Sequence, residues 1–369
     1  MHTIVVGGGI WGLSTAWALI RAGETVTLID RGPLPNPVNA SYDEHRLIRL
    51  VYAEASGYAS LISEAFALWD QLWQDIGRSH YVETGTLAIS AEAGDWTDRA
   101  LGNLRGLDLD HAVWSPDLLA RNLAHMTPIY PFRYALFQPQ GGILKADRIA
   151  EDLVAWLEGQ GAELRSNARV VEVEEDGPGV VLASGERILA DALVLCCGAW
   201  TGELAPEFSG AAEPHRQGVV YLEPPADLRA AWEKSPIMVD MGSPADLWGA
   251  PPVDGTRLKI GVGTARRPAR PWMDLTARPV DTQSRLDAWR DTLPGLDRYQ
   301  VLETKICFYG KGQDDRFIAR RVAPRSWALG NDAGHGYKFG PWIGRETARM
   351  LRGDMDTQLY RNRLAGQIA

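Results

Sequence analysis

The sequence predicts an α/β (α+β) protein in which a parallel-sheet unit is interleaved with a strand-rich, mixed-sheet unit. Three observations carry this expectation. The chain opens on a β-branched run, a glycine-rich turn and an amphipathic segment. Continuous apolar runs return late, at 191–197 and 326–329. Between 218 and 309 the signal changes to short strand-like runs separated by turn residues. Continuous apolar strands belong to a sheet covered on both faces, whereas short runs bounded by turns belong to mixed or antiparallel sheets.

The elements follow in order. Ile4-Val5-Val6 is the first strand, and Gly7-Gly8-Gly9-Ile10-Trp11-Gly12 comes at once. Leu13 to Arg21 reads as a helix with Leu13, Ala16, Leu19 and Ile20 on one face. Gly23 ends it, and Val26 to Ile29 is a second strand closed by Asp30. A strand, a glycine turn, a helix and an acid about 20 residues on form the Rossmann-like dinucleotide unit. Its glycines let the backbone approach a pyrophosphate at the helix N-terminus, where free N–H groups point outward. Asp30 would accept from a ribose hydroxyl and repel a 2′-phosphate. The bland alternative, a turn needing glycine for sterics alone, leaves that acid unexplained.

Gly57 to Ile76 is an amphipathic helix with Tyr58, Leu61, Ala65, Leu68 and Leu72 on one stripe. Ala146 to Glu158 is another, with Ile149, Leu153 and Trp156 facing in. A meander of strands at 169–174 and 180–182 turns at Asp176-Gly177-Pro178-Gly179 and again at Ser184-Gly185. Asp191 to Cys197 reads as a buried parallel strand returning to the first sheet. Runs at 219–222, 237–240, 258–262 and 304–309 supply the second unit. Ser326 to Leu329 is a last parallel strand, 330–336 a glycine-rich loop, and Trp342 to Leu351 a closing helix. The expected division is discontinuous: 1–84, 143–217 and 312–369 form the dinucleotide-binding domain, 85–142 and 218–311 the substrate domain.

Composition narrows the function. At 369 residues the chain exceeds one small core. A net charge of −9 argues against nucleic acid and against an anionic membrane surface. No apolar run approaches the roughly 18 residues of a membrane span, and the N-terminus is itself the first strand, so no removable leader is expected. Three cysteines, two of them adjacent, make no disulfide framework and point to a reducing cytoplasm. No metal site is expected, and a monomer is. Arg266, Arg267 and Arg270 read as a solvated loop, and most of the fourteen tryptophans as packing residues.

These residues are similar to the D-amino-acid-oxidase-type flavoproteins and, within them, to the monomeric sarcosine oxidase, N-methyltryptophan oxidase and pipecolate oxidase group. The resemblance spans the chain. It rests on the glycine fingerprint, Arg46-Leu47-Ile48-Arg49, Gly198-Ala199-Trp200, Pro214-His215-Arg216-Gln217 and the strand bearing Lys259. Two motifs discriminate: Thr304-Lys305-Ile306-Cys307-Phe308-Tyr309 and Gly334-His335-Gly336-Tyr337-Lys338-Phe339. The resemblance implies FAD at a two-domain interface, tethered covalently through Cys307. Its binding residues would be Gly7, Gly9, Ile10, Trp11, Gly12, Asp30, Arg31, Arg46, Val170, Gly198, Trp200, Gly334, Gly336, Tyr337 and Lys338. It also implies that Arg49 and Lys338 grip a substrate carboxylate and that Lys259 activates O2. Trp248, Gly263, Tyr309 and His335 would complete the substrate pocket with Arg49 and Lys338.

Each assignment has a physical reason and a rival. A thioether tether needs a thiolate, so a nearby cation should lower the Cys307 pKa; the rival is a small apolar residue on a strand, the role assigned to Cys196 and Cys197. A carboxylate suits a paired cationic clamp with an arginine fork; the rival is a surface arginine pair binding acids on a neighbouring helix. A lysine within an apolar strand is costly unless paired or functional; the rival is a strand-edge lysine pointing at solvent.

Two departures bear on the substrate. Four residues past Lys259 the sarcosine-type enzymes carry a histidine, where this chain has Gly263, and their pocket tyrosine corresponds to Trp248. Gly340-Pro341 resembles the pipecolate-type relatives. The implied reaction is FAD-dependent oxidation of a secondary amino acid, N-methyl or cyclic and bulkier than sarcosine, to an imine, with O2 reduced to H2O2. No catalytic base is evident; His335 and Tyr309 are candidates for orienting roles. The alternatives are a flavin dehydrogenase of the same fold passing electrons to a carrier or quinone, a nicotinamide enzyme in which Cys307 and Lys338 are accidental, and a dinucleotide-sensing module.

Overall fold

The structure, a computed structural model, describes residues 1–53, 56–208, 210–270 and 274–367. The opening strand His2–Val6 lies inside a six-stranded sheet, flanked in parallel by Thr25–Ile29 and Ala192–Leu195. Ser326–Gly330 adds a further parallel strand beyond Ala192–Leu195, and Glu163–Arg165 another beyond Thr25–Ile29. Ile318–Ala323 closes one edge antiparallel. Both late apolar runs thus return to the first sheet as their composition requires. Ile4, Val5, Leu28, Leu193 and Val194 are fully buried, because both faces of the sheet are covered.

The first helix, Ile10–Arg21, is buried from Ile10 through Leu19. It is sandwiched against the closing helix, Gly340–Arg352. Glycine sets how close these elements come: a Cβ on Gly344 would lie 2.2 Å from the Ser14 carbonyl oxygen, and one on Gly12 would lie 1.8 Å from that of Gly7. Neither backbone contact leaves room for a side chain.

The second sheet has nine strands and is mixed. At its centre Glu213–Glu223 pairs antiparallel with Leu258–Val262 and with the long strand Gln300–Lys311. Leu247–Ala250 and Ile237–Asp240 continue the sheet, and Thr86–Ser90 joins Ile237–Asp240 in parallel. A separate apolar cluster containing Leu87, Val220, Met238, Ile260 and Trp289 lies against it, distinct from the cluster of Val5, Leu13, Leu28 and Trp342 around the first sheet. Glu213–Glu223 runs unbroken across position 217. A small sheet of Arg46–Arg49, Gly141–Leu144 and Tyr81–Glu83 carries the two arginines of the Arg-x-x-Arg segment. Among the described residues no helix is long and apolar enough to cross a membrane.

Candidate active site

Elements of both sheets enclose one cavity of about 1460 Å³, larger than the roughly 300–1,000 Å³ of a pocket for one small ligand. Nearly every residue expected at the site lines it. Gly12 does not: its place in the fingerprint is steric, letting the helix sit against the Gly7 carbonyl.

At one end lies the glycine turn. Gly7 has φ +109°, and a Cβ there would lie 2.4 Å from the Cys196 carbonyl oxygen. The helix Ile10–Arg21 begins without a side-chain cap at Gly9 and without an acid in its first turn. Ile10 N donates to Ser41 Oγ at 2.9 Å, which leaves the following amides free for an anion. Asp30 accepts from Gly8 N at 2.7 Å and from Gly32 N and Asn36 Nδ2 at 2.8 Å. A carboxylate has about four acceptor positions, so one remains for a ribose hydroxyl. Arg31 lies 5.4 Å over the Trp200 ring, whose buried Nε1 has no partner among the described residues. Val170 and Gly198 belong to the same wall. A bare helix start, glycines where only bare backbone fits and an orphaned indole donor together fit the nucleotide half of FAD.

The loop after the last parallel strand forms the opposite wall and is tied to the fingerprint helix. Trp11 Nε1 donates to the Gly336 carbonyl at 3.0 Å, and Trp69 Nε1 donates to the Lys338 carbonyl at 2.8 Å. Gly334, Gly336 and Tyr337 line the cavity here. The start of helix Gly340–Arg352 follows directly and presents its positive end.

Two clusters of cations sit in this cavity, set apart because Arg46 and Arg49 are three residues apart on a strand and so point to opposite faces. Arg46 belongs to the first. It donates to Asp43, which also pairs with Lys259 Nζ at 3.2 Å and Lys305 Nζ at 3.5 Å and accepts from the Tyr221 hydroxyl. Lys259 is 1% exposed, so the solvent-facing alternative fails. Burial pulls its ammonium down to about 8 against the opposing pull of Asp43. Burial would raise the Asp43 carboxyl, but Lys259, Arg46 and Lys305 outweigh it and hold the group well below the usual carboxylate range. Asp43 was not marked by the sequence, yet it organises this corner.

Cys307 shares the corner, on Gln300–Lys311 opposite Gln217. Its thiol corrects the expectation of a lowered pKa. Burial raises it; Arg46 and Lys259 pull it down, Asp43 and Asp332 push it up, and the net direction is upward. The cations are present, but desolvation of the thiolate outweighs them. Asp332 also lines the cavity and accepts from Gly334 N at 3.0 Å; burial raises it to about 6.

Arg49 and Lys338 form the second cluster. Arg49 lies 4.4 Å over the Tyr52 ring and 5.2 Å over that of Trp96, and Lys338 Nζ lies 5.7 Å over Tyr52 and donates to the His335 carbonyl at 2.9 Å. Burial lowers both, and Arg49 pushes Lys338 down further. Neither forms an ion pair with an acid among the described residues. A half-buried arginine and a buried lysine that repel each other, with no ion-paired acid among the described residues, are a site for an anion. The arginine pair of the rival reading, bound to acids on a helix, is not what forms.

His335 stacks on Phe317 at 4.6 Å, packs edge-on to Tyr58 and binds the Asp315 carbonyl through Nε2 at 2.8 Å. Burial and Lys338 lower it to about 3, so it is neutral and holds the loop. Tyr309 lies against Gly334 and stacks on His215 at 6.5 Å. Trp248 pairs with Gly261, where a Cβ would lie 2.4 Å from its indole; the ring therefore lies across that strand. The room at Gly263 is taken by Asp246, a second residue the sequence did not mark. Arg266 corrects another expectation. It lines the cavity and donates to the Gly263 carbonyl at 2.9 Å, so it is more than a loop residue in solvent. Cys196 and Cys197 follow the strand Ala192–Leu195 and, besides packing there, line the cavity next to the glycine turn, with Cys197 Sγ 3.5 Å from the Val6 carbonyl.

Residues 2–350 match the family model of the FAD dependent oxidoreductases (DAO). The monomeric sarcosine oxidase of Bacillus sp. (strain NS-129) is 24% identical over 359 residues, covering 94% of this chain and 92% of that protein. The N-methyl-L-tryptophan oxidase of Yersinia pestis (strain Pestoides F) is 24% identical over 354 residues, covering 94% and 93%. Among solved structures, a modified fructosyl peptide oxidase from Aspergillus nidulans superposes with a TM-score of 0.83 at 21% identity, covering 98% of this chain and 92% of that one.

Proposed function

Because the chain belongs to the FAD dependent oxidoreductase (DAO) family, we propose that it is a flavin-dependent amino acid oxidase acting on the CH–NH bond of a secondary amino acid, N-methyl or cyclic, with O2 as acceptor and H2O2 as product. The observation that carries this reading is the Arg49–Lys338 pair, which lines the same cavity as the glycine turn and forms no ion pair with an acid among the described residues. The relatives' names, sarcosine and N-methyl-L-tryptophan oxidases, support an N-substituted amino acid.

FAD, when bound, supplies a two-electron acceptor. Gly7, Gly9 and the first amides of Ile10–Arg21 would hold its pyrophosphate, Asp30 its ribose, and Cys307 would be the residue that tethers its ring. Arg49 and Lys338 take the substrate carboxylate and so fix which C–H faces the ring. Trp248 gives that pocket one flat apolar wall, which favours a substrate bulkier than sarcosine. Lys259 brings positive charge to where oxygen is reduced. The dinucleotide part is contributed by 1–84, 143–212 and 312–369, and the substrate part by 85–142 and 213–311, the expected boundary at 217 moving to the start of the unbroken strand Glu213–Glu223. The three unpaired cysteines support a reducing, cytoplasmic setting.

One observation favours a second reading, a same-fold dehydrogenase that passes electrons to a carrier. The Asp43 carboxylate beside Lys259 offsets part of the charge that oxygen would use. A panel of amino acids and N-methyl amino acids scored by peroxide release separates the two. Peroxide in step with substrate loss supports the oxidase. Substrate loss only when an artificial carrier is added supports the dehydrogenase, and a colourless protein that turns over nothing refutes both.

A further inference from the structure

Asp246, Trp248, Lys259 and Gly263 line the cavity from two neighbouring strands, at three alternate cross-strand positions. Leu247–Ala250 and Leu258–Val262 run antiparallel, with Ala250 opposite Lys259 and Trp248 opposite Gly261. The ladder continues one step, Gly263 N donating to the Asp246 carbonyl at 2.7 Å. Alternate residues share a face, so Lys259, Gly261 and Gly263 line up beside Ala250, Trp248 and Asp246. The two glycines leave room for the two larger partners to lie across the strand.

At Gly263 this room has one occupant. A Cβ there would lie 1.6 Å from Asp246 Oδ2 and 2.3 Å from Cγ, so the carboxylate fits only beside glycine. Asp246 itself is left-handed, with φ +55°, a conformation Asp tolerates better than most residues. Its carboxylate accepts no hydrogen bond among the described residues; the nearest cation, Arg266 Nη1, is 3.9 Å away. It lines the cavity and feels the charge of Arg49. The cavity therefore presents Arg49 and Lys338 without an ion-paired acid among the described residues and, within the field of Arg49, an acid with open acceptor positions.

We propose that Asp246 receives the substrate's amino group, its carboxylate accepting the N–H of the zwitterion while Arg49 and Lys338 hold the other end. The inference rests on the reading of this cavity as an amino acid site. It names the recognised species as an α-amino acid carrying at least one N–H. The Asp246 side chain is 55% exposed, open to the cavity and to solvent; partial desolvation raises its carboxyl, Arg266 and Arg49 lower it and Asp315 raises it, with a net upward direction.

The test compares two ligands of one shape, sarcosine and butyrate, which differ by an NH2+ in place of a CH2. Holoenzyme kept reduced under argon, so that no turnover occurs, is titrated with each while tryptophan fluorescence is followed. In the wild type sarcosine binds more tightly than butyrate. In Asp246→Asn the preference shrinks by about 10- to 100-fold, the range of one charged hydrogen bond, while butyrate binding holds or tightens. Gly263→Ala, which displaces the carboxylate without removing it, gives the same selective loss should the first variant fold poorly. A variant that keeps the wild-type preference overturns the proposal. Equal wild-type binding of the two ligands also overturns it but leaves the carboxylate clamp standing. Failure of both ligands to bind the wild type refutes the amino acid site, and this proposal with it.

Discussion

Replacing Asp43 by Asn separates the two things its carboxylate does to Lys259. The pair stands at 3.2 Å, with side chains 1% and 4% exposed. At an effective dielectric of about 20 a carboxylate at that distance favours the ammonium by about 5 kcal/mol, or about four pH units in its ionisation. Water entering the altered site and relaxation of the neighbours reduce this, so a fall of at least about 1–2 pH units is expected from the wild-type value of about 8. Arg46, left without its main partner, drives Lys259 the same way. The sign follows: Lys259 is charged below its pKa, so its help in reducing oxygen is present at low pH and lost as pH rises through that value. In Asp43→Asn the loss begins at lower pH. Below it the lysine is still charged and no longer offset, so oxygen reacts faster than in the wild type. The assay mixes dithionite-reduced holoenzyme with oxygenated buffer in a stopped-flow instrument at a series of pH values. The two profiles should cross, the variant ahead on the acid side and behind on the alkaline side. Lys259→Met should give a slow profile without this limb. Coincident profiles for wild type and Asp43→Asn would sink the claim that Asp43 sets the charge state of Lys259.

Arg49→Ala and Lys338→Ala should each weaken simple carboxylate inhibitors by about 10- to 100-fold, since a charged hydrogen bond contributes roughly 1.5–3 kcal/mol; Arg49→Lys should recover only part, because an ammonium lacks the fork. Unchanged inhibition in both alanine variants would remove the clamp. The flavin should stay with the acid-precipitated polypeptide in the wild type and pass to the supernatant in Cys307→Ser; a colourless wild-type pellet counts against the tether. Gly12→Ala places a Cβ 1.8 Å from the Gly7 carbonyl and should destabilise by about 1–3 kcal/mol, read as a lower Tm and weaker flavin retention. Gly202→Ala, where a Cβ meets nothing within 4 Å, should do neither.

What the sequence made legible was what is local. Strand, glycine turn, helix and Asp30 lie within thirty residues, and each element's signal is its own composition, so the parallel sheet and its late returns at 191–197 and 326–329 could be read before any contact was known. Lys259 was legible for a related reason: an ammonium in an apolar strand is an anomaly that demands a partner. Which partner was not legible. Asp43 is 216 residues away, in a loop where an aspartate is ordinary, and its meaning arises only once Lys259, Arg46 and Lys305 converge on it. The Cys307 thiol failed for the complementary reason. Sequence reveals that cations lie nearby but not how far water is excluded, and desolvation decided the direction. Gly263 shows how far a departure can be read. A missing side chain in a strand signals that something else fills the space, and antiparallel pairing limits that something to the residue opposite. Once the register sets Leu247 against Val262, the next pair is forced, and the absent imidazole becomes a carboxylate supplied from across the ladder. Under the proposed amino acid site, the selectivity of the pocket is then expected to follow from Asp246 as much as from the Trp248 indole.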